Sequence, residues 1–218
     1  MSLDKINLNT AVRLIFSPLN RQTADLRTDI RREIAKAEGL DGGPDFYGPF
    51  WGDAKLHAVG SADLYACVAD RIDRNPGRKR LYEALRDGFL LWWNERRRWT
   101  NEPFESIAAP KALIELDSET QLKIQNLLAV RDAARTAHYV YPYFSEHAPL
   151  SERGSRLILW GLTTAFPDID PAELRVLDVM VGRPFSIDRT PLSGREMDDF
   201  QWLMTALRKR RSSLAEEY

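Results

Sequence analysis

The chain has 218 residues, 44% apolar and 29% charged, the make-up of a globular protein large enough to bury a real core. Its 31 basic and 32 acidic residues leave a formal charge of −1, so the whole-molecule field steers it toward neither nucleic acid nor an anionic membrane, and such binding would need a local patch. One cysteine, Cys67, excludes an intrachain disulfide. No apolar run approaches the roughly 18 residues of a membrane span.

The opening MSLDKINLNTAVRLIF lacks the basic start and long apolar core of a signal peptide, so a soluble, cytoplasmic protein is expected. Residues 1–16 carry little further signal. Ser17-Pro18 reads as a helix start, with serine as N-cap and proline at the first helical position. Leu19, Leu26, Ile30, Ile34 and Ala37 then share a stripe that Gly39 ends, opposite a solvated face with Arg21, Asp25, Arg31, Arg32 and Lys36. Residues 40–60 hold five glycines and two prolines and read as an irregular loop. Phe46, Tyr47, Phe50 and Trp51 within it either pack over the core or present a binding surface. Ser61 can cap a helix over 62–73, with Leu64, Cys67, Val68 and Ile72 inward and a stop at Asn75-Pro76-Gly77.

The stretch Leu81 to Phe104 reads as the central helix, ending near Thr100. At 100° per residue, Leu81, Leu85, Phe89, Trp92 and Trp99 fall in one stripe, and Leu90 lands opposite. A helix apolar nearly all round is buried on several sides. Arg96 projects from this stripe, so its guanidinium needs a carboxylate or backbone carbonyls from another segment, with Glu102, Glu105 and Glu115 as candidates. Arg97 points away from the stripe and Arg98 to its side, so both are free for solvent or phosphate.

Beyond residue 105, Lys111 to Asp117 is a short strand, and Leu122, Ile124, Leu128 and Val130 share one parity. HYVYPYF (138–144) is the strongest β signal, and Pro142 in it implies an edge strand or a bulge. A hairpin through 131–136 joins the two. Residues 152–166 read as a helix. Asp170-Pro171-Ala172-Glu173 offers another start, followed by LRVLDVMVGRPFS as helix or strand. Ser193 and Glu196 form a capping box for a last helix striped by Met197, Phe200, Leu203, Met204 and Leu207, and the tail beyond is expected to fray.

No phosphate-binding glycine loop, nucleophile elbow, HExxH or CxxC pair occurs. Pro44-Asp45 followed by Asp53-Ala54-Lys55 has the lettering of the PD-(D/E)xK nuclease motif, in which two carboxylates hold Mg²⁺ and a lysine orients water. Only seven residues separate the two aspartates, in a Gly/Pro context where a strand should lie. His57, four residues after Asp53, would share a helix face with it. Cys67 reads as a buried, inert thiol. Two basic runs, Arg96–Arg98 beside tryptophans and Arg208–Arg211 near the C-terminus, could hold phosphates, although the second also complements a helix dipole.

The expected fold is a mainly helical α+β single domain over 1–218. It has a helical lobe at 1–105, an α+β lobe at 106–218 and a small antiparallel sheet within 111–145; all-α is the alternative. The expected function is that of a non-catalytic interaction or accessory subunit that works on another protein or its own copy. Its surfaces would be the Trp/Arg helix and the aromatic loop, with Arg97, Arg98, Tyr47 and Trp51 as binding residues. A nucleic-acid-binding module through the arginine clusters is the alternative. A Mg-dependent nuclease through Asp45, Asp53, Lys55 and His57 is third. No cofactor, resident metal or membrane contact is expected.

Overall fold

The computed structural model describes residues 3–37 and 45–217. Along them run β1 (Lys5–Asn7), α1 (Leu8–Phe16), α2 (Leu19–Ala37), α3 (Tyr47–Ala58), α4 (Leu64–Arg74), α5 (Lys79–Leu91), β2 (Glu105–Ser106), β3 (Ala112–Asp117), β4 (Thr120–Ile124), β5 (Leu128–Arg131), β6 (Ala137–Tyr143), α6 (Glu152–Ala165), β7 (Leu174–Asp178), β8 (Arg183–Phe185) and α7 (Glu196–Ala215). This is a mainly helical α+β fold. Gly39 and Pro44 lie outside the described residues. No helix among those described is long and apolar enough to cross a membrane.

The sheet differs from expectation. There are two sheets, both mixed, ordered β1-β4-β3 and β2-β5-β6-β7-β8. β1 pairs parallel with β4, and β6 with β7, the latter through the crossover helix α6. β7 escaped the alternation rule because both of its faces are covered: Leu174, Val176, Leu177 and Asp178 are all buried, so LRVLD has no clean period of two. Asp170-Pro171 starts only a single 3-10 turn before it. β6 is a middle strand, not an edge. Pro142 is tolerated there because β5 pairs no farther than Leu128↔Val140, leaving no ladder bond for Pro142 to donate on that side. The 131–136 hairpin does form, closed by Arg131↔Ala137. With no glycine available, Arg135 takes the left-handed backbone at φ 68°.

The five-stranded sheet separates two cores. Tyr141, Tyr143, Leu174 and Val176 face an aliphatic core shared with α1, α2, α6, α7 and the smaller sheet. Leu128, Val130, Val140, Leu177 and Val179 face an aromatic core built by α3, α4 and α5. Residues 47–58 are thus helical despite Gly48, Pro49 and Gly52. Pro49 sits in the first turn, where its missing N–H costs nothing, and burial of Phe50, Trp51, Ala54 and Ala58 outweighs poor propensity.

α5 meets the five-stranded sheet backbone to backbone. A Cβ on Gly88 would run into the Val179 and Met180 carbonyls, and one on Gly182, at φ 61°, into the carbonyl of Gly88. The turn between β7 and β8 therefore lies directly on the helix, and the residues after α5 are brought over that turn.

α7 runs to Ala215 with Leu214 buried, so most of the tail is ordered; Tyr218 lies outside the described residues. Leu19, Ile34 and Met197, expected inward, are exposed. The helix over 64–74 is capped by Asp63, whose side chain accepts from the Tyr65 N–H, rather than by Ser61.

Candidate functional site

The central helix does not reach Thr100. α5 gives way to a π-helical turn, Trp92–Arg96, closed by the Arg97 N–H donating to the Trp92 carbonyl at 2.7 Å. The chain then leaves in extended backbone, where alternate residues share a side. Arg97 and Trp99 consequently turn inward while Arg96 and Arg98 turn outward. This reverses the wheel-derived roles, because a wheel drawn through Trp99 assumes a helix that has already ended.

Arg97 is only one-tenth exposed. Its guanidinium lies 4.0 Å from the Trp93 ring centroid and 4.5 Å from that of Phe104, and donates to Glu102 at 2.7 Å. One of its terminal nitrogens, Nη1, is buried without an acceptor. Trp99 stacks flat on His138 at 4.1 Å, and His138 meets the Asp132 carboxylate at 3.2 Å. Burial pushes the His138 pKa down against the pull of Asp132.

Arg96, although exposed and outside any apolar stripe, is held by backbone carbonyls from another segment. They are those of Val181 and Gly182, at 3.0 and 3.1 Å, and none of the three expected glutamates is involved. The close approach of Gly88 to Gly182 brings those carbonyls within reach.

This docking brings Arg96, Arg97 and Arg98 to one small pocket, about 30 Å³, with Arg175 from β7 and Arg189 from the loop after β8. Arg175 donates to the carbonyls of Leu174, at 3.0 Å, and Ala172. Burial lowers its pKa; nearby Asp188 raises it and Arg98 lowers it again. Asp188 is the one carboxylate in the pocket wall, 3.5 Å from Arg98 and bonded to the Ser186 hydroxyl. Arg98 and Asp188 are each about 60% exposed, so that pair is loose. Arg175, Arg189 and Asp188 were missed from the sequence, since only the folding of β7 and β8 onto the π-helical turn brings them to Arg98.

The other expected site residues are elsewhere and occupied. Asp53 is engaged by Arg71, through Nε and through Nη2 at 2.9 Å, and does not pair with His57. His57 meets the Ala62 carbonyl at 3.2 Å through Nδ1 and its ring lies edge-on to Phe89. Asp45 caps α3 by accepting from the Tyr47 and Gly48 N–H groups, each at 3.0 Å. Lys55 is half-buried, and burial lowers its pKa. Among the described residues no three His, Cys, Asp or Glu side chains gather as a metal site. Trp51 is buried, its indole N–H bonded to the Asn126 carbonyl at 2.6 Å. Tyr47 stacks on Phe144 at 4.9 Å and donates to Glu146 at 3.2 Å. Cys67 is partly exposed, not core.

In the second basic run Arg208 and Arg211 are paired with acids, Arg210 bonds a neutral amide, and Lys209 is exposed. Arg208 binds Asp117 bidentately at 2.9 and 3.0 Å, Arg210 donates to Gln22 at 2.9 Å, and Arg211 pairs with Glu33. Comparison with protein-family models, curated proteins and solved structures finds no match.

Proposed function

We propose that the protein is a non-catalytic nucleic-acid-binding module that grips backbone phosphates in the arginine pocket. The carrying observation is the convergence of Arg96, Arg97, Arg98, Arg175 and Arg189 on one pocket with Asp188 as its single carboxylate. Guanidinium groups gathered this way repel one another and gain from an incoming anion. Arg175 and Arg98 feel each other already, and the buried Nη1 of Arg97 has no acceptor. The pocket is small and lined by guanidinium groups, which suits a grip on backbone phosphate, a contact that carries no sequence information. With an overall charge of −1, attraction to a polyanion has to come from a local patch such as this one.

A protein-binding role for the Trp/Arg helix and the aromatic segment draws less support, since Trp92, Trp93, Trp99, Phe50 and Trp51 are used in the core. Nuclease chemistry through Asp45, Asp53 and Lys55 draws less again, since both carboxylates are committed to other partners.

The test is fluorescence anisotropy with labelled single- and double-stranded oligonucleotides across a salt series. Binding in the micromolar range or weaker is expected, with log K falling linearly in log salt. Arg98→Ala and Arg189→Ala should each lower the slope by about one, uniformly across sequences. Absence of binding at low salt, or variants that bind like the parent, would overturn the proposal.

A further inference from the structure

A second concavity, distinct from the arginine pocket, lies at the opposite end of the β6/β7 pair. The pocket sits where Arg175 opens β7, whereas this cleft lies beyond the C-terminal end of β6, bounded by Tyr141, Pro142 and Phe144 on one side and by α1 and α3 on the other. It consists of a cavity of about 600 Å³ and one of about 220 Å³. Both are walled by Asn9, Thr10, Asp45, Tyr47 and Phe144, so they open into each other. Their size is that of small-molecule sites.

The two parts differ in chemistry. The larger holds four arginines, Arg13, Arg21, Arg32 and Arg78, against three carboxylates, Asp25, Asp45 and Glu146, of which Asp45 is turned to the N–H groups that open α3 and Glu146 to the Tyr47 hydroxyl. Arg13 and Arg21 share a single carboxylate, Asp25, at 2.5 and 3.3 Å. Arg78 lies over the Phe46 ring at 4.4 Å, leaving its N–H groups for an anion. The smaller part carries no basic side chain. It offers the amides of Asn7, Gln125 and Asn126 and the hydroxyl of Thr10. Asn9 is already oriented there, because the Phe144 N–H holds its side-chain carbonyl at 3.0 Å and turns its NH₂ outward. Between the two parts stand the rings of Tyr47 and Phe144. Burial, helped by Glu146, pushes the Tyr47 hydroxyl up to about 12, so it stays a neutral phenol across the physiological range. Gly48 makes this wall possible: a Cβ there would strike the Asp45 carboxylate that caps α3.

An arginine-bearing end, an amide-rich end without a basic side chain and aromatic rings between them match a ligand with a phosphate at one end and a planar, hydrogen-bonding heterocycle at the other. We infer that the cleft between α1, α3 and the end of β6 binds a nucleoside monophosphate, with its phosphate at Arg32 and Arg78 and its base at Asn9, Gln125 and Asn126. This does not depend on the arginine pocket holding nucleic acid.

The test is isothermal titration of the full chain with AMP, GMP, CMP and UMP, and with adenosine, ribose 5-phosphate and inorganic phosphate as single-end probes. At least one nucleotide should bind saturably, at least tenfold tighter than any single-end probe. Arg78→Ala and Arg32→Ala, both at exposed positions, should weaken it about tenfold without moving the melting temperature, and Gln125→Ala should weaken it while leaving ribose 5-phosphate unaffected. Arg98→Ala should leave it unchanged. No nucleotide binding at millimolar concentration, phosphate binding as tightly as nucleotide, or loss of binding in Arg98→Ala would each overturn the inference.

Discussion

The chain carries two basic runs of nearly the same lettering, Arg96-Arg97-Arg98 and Arg208-Lys209-Arg210-Arg211, and the fold treats them oppositely. In the second, Arg208 reaches Asp117 on β3, and Arg211 reaches Asp29 and Glu33 on α2, so the charges tie α7 to its neighbours. In the first, Arg97 is drawn inward to Glu102 and two rings, Arg96 is tied to backbone, and Arg98 is left with a loose partner. What distinguishes a structural from a binding cluster is where the acids end up after folding, which the run itself does not encode.

Breaking the scaffold under the first run should have the largest effect. Trp92 is fully buried against Phe89, Trp93 and Trp99. Trp92→Ala is expected to cost about 3–5 kcal/mol in chemical denaturation and to abolish oligonucleotide binding with it. A midpoint shift near zero would show that the π-helical turn is supported from elsewhere.

Arg208→Ala comes next. It strips a partly buried carboxylate of its main cationic partner, at about 1–2 kcal/mol. Burial raises the Asp117 pKa, but the Glu119 N–H and Arg208 outweigh it and hold the group below its ordinary value. A depressed folded-state pKa gives stability that is present above the unfolded pKa and lost as pH falls through the folded one. The parent should therefore lose this increment in acid, below about pH 4. The variant should show a shallower acid limb, and parallel limbs in pH-dependent melting would refute the coupling.

Arg97→Leu is expected to cost about 1 kcal/mol, through lost cation–π contact with Trp93 and Phe104, contrary to the silence a helical wheel implies. The smallest stability effect belongs to Arg98→Ala with Arg189→Ala, within about 0.5 kcal/mol. That pair should nevertheless lower oligonucleotide affinity in anisotropy while leaving the fold intact, unlike Trp92→Ala, which loses binding with the fold.

Much of the helical frame was legible because it rests on local signals. The capping box read from the sequence forms, with Glu196 reaching back to the Ser193 N–H at 2.7 Å ahead of α7. α1 was not legible: Asn7 makes no side-chain cap, and β1 runs straight into the helix. α3 was hidden by its glycines and proline, which propensity reads as a loop until the burial of Phe50 and Trp51 is known. Of the arginine pocket only Arg96, Arg97 and Arg98 could be singled out, and the orientations of Arg96 and Arg97 were inverted because the helix ends at the π-helical turn and the chain leaves in extended backbone. Arg175, Asp188 and Arg189 sit too far along the chain for any spacing rule to link them to Arg98.

The contact between Gly88 and Gly182 acts as a mechanical stop. Because main chain rests on main chain there, no rotamer can absorb an added atom, and the height of α5 above the β7–β8 turn is fixed by peptide geometry. Arg96 inherits that fixed height through its two carbonyl acceptors. The guanidinium groups around the arginine pocket are thus spaced by a gauge in the backbone. Surface arginines could be exchanged by mutation without altering the frame, whereas a single methyl group at residue 88 would detune the whole array from more than a helical turn away.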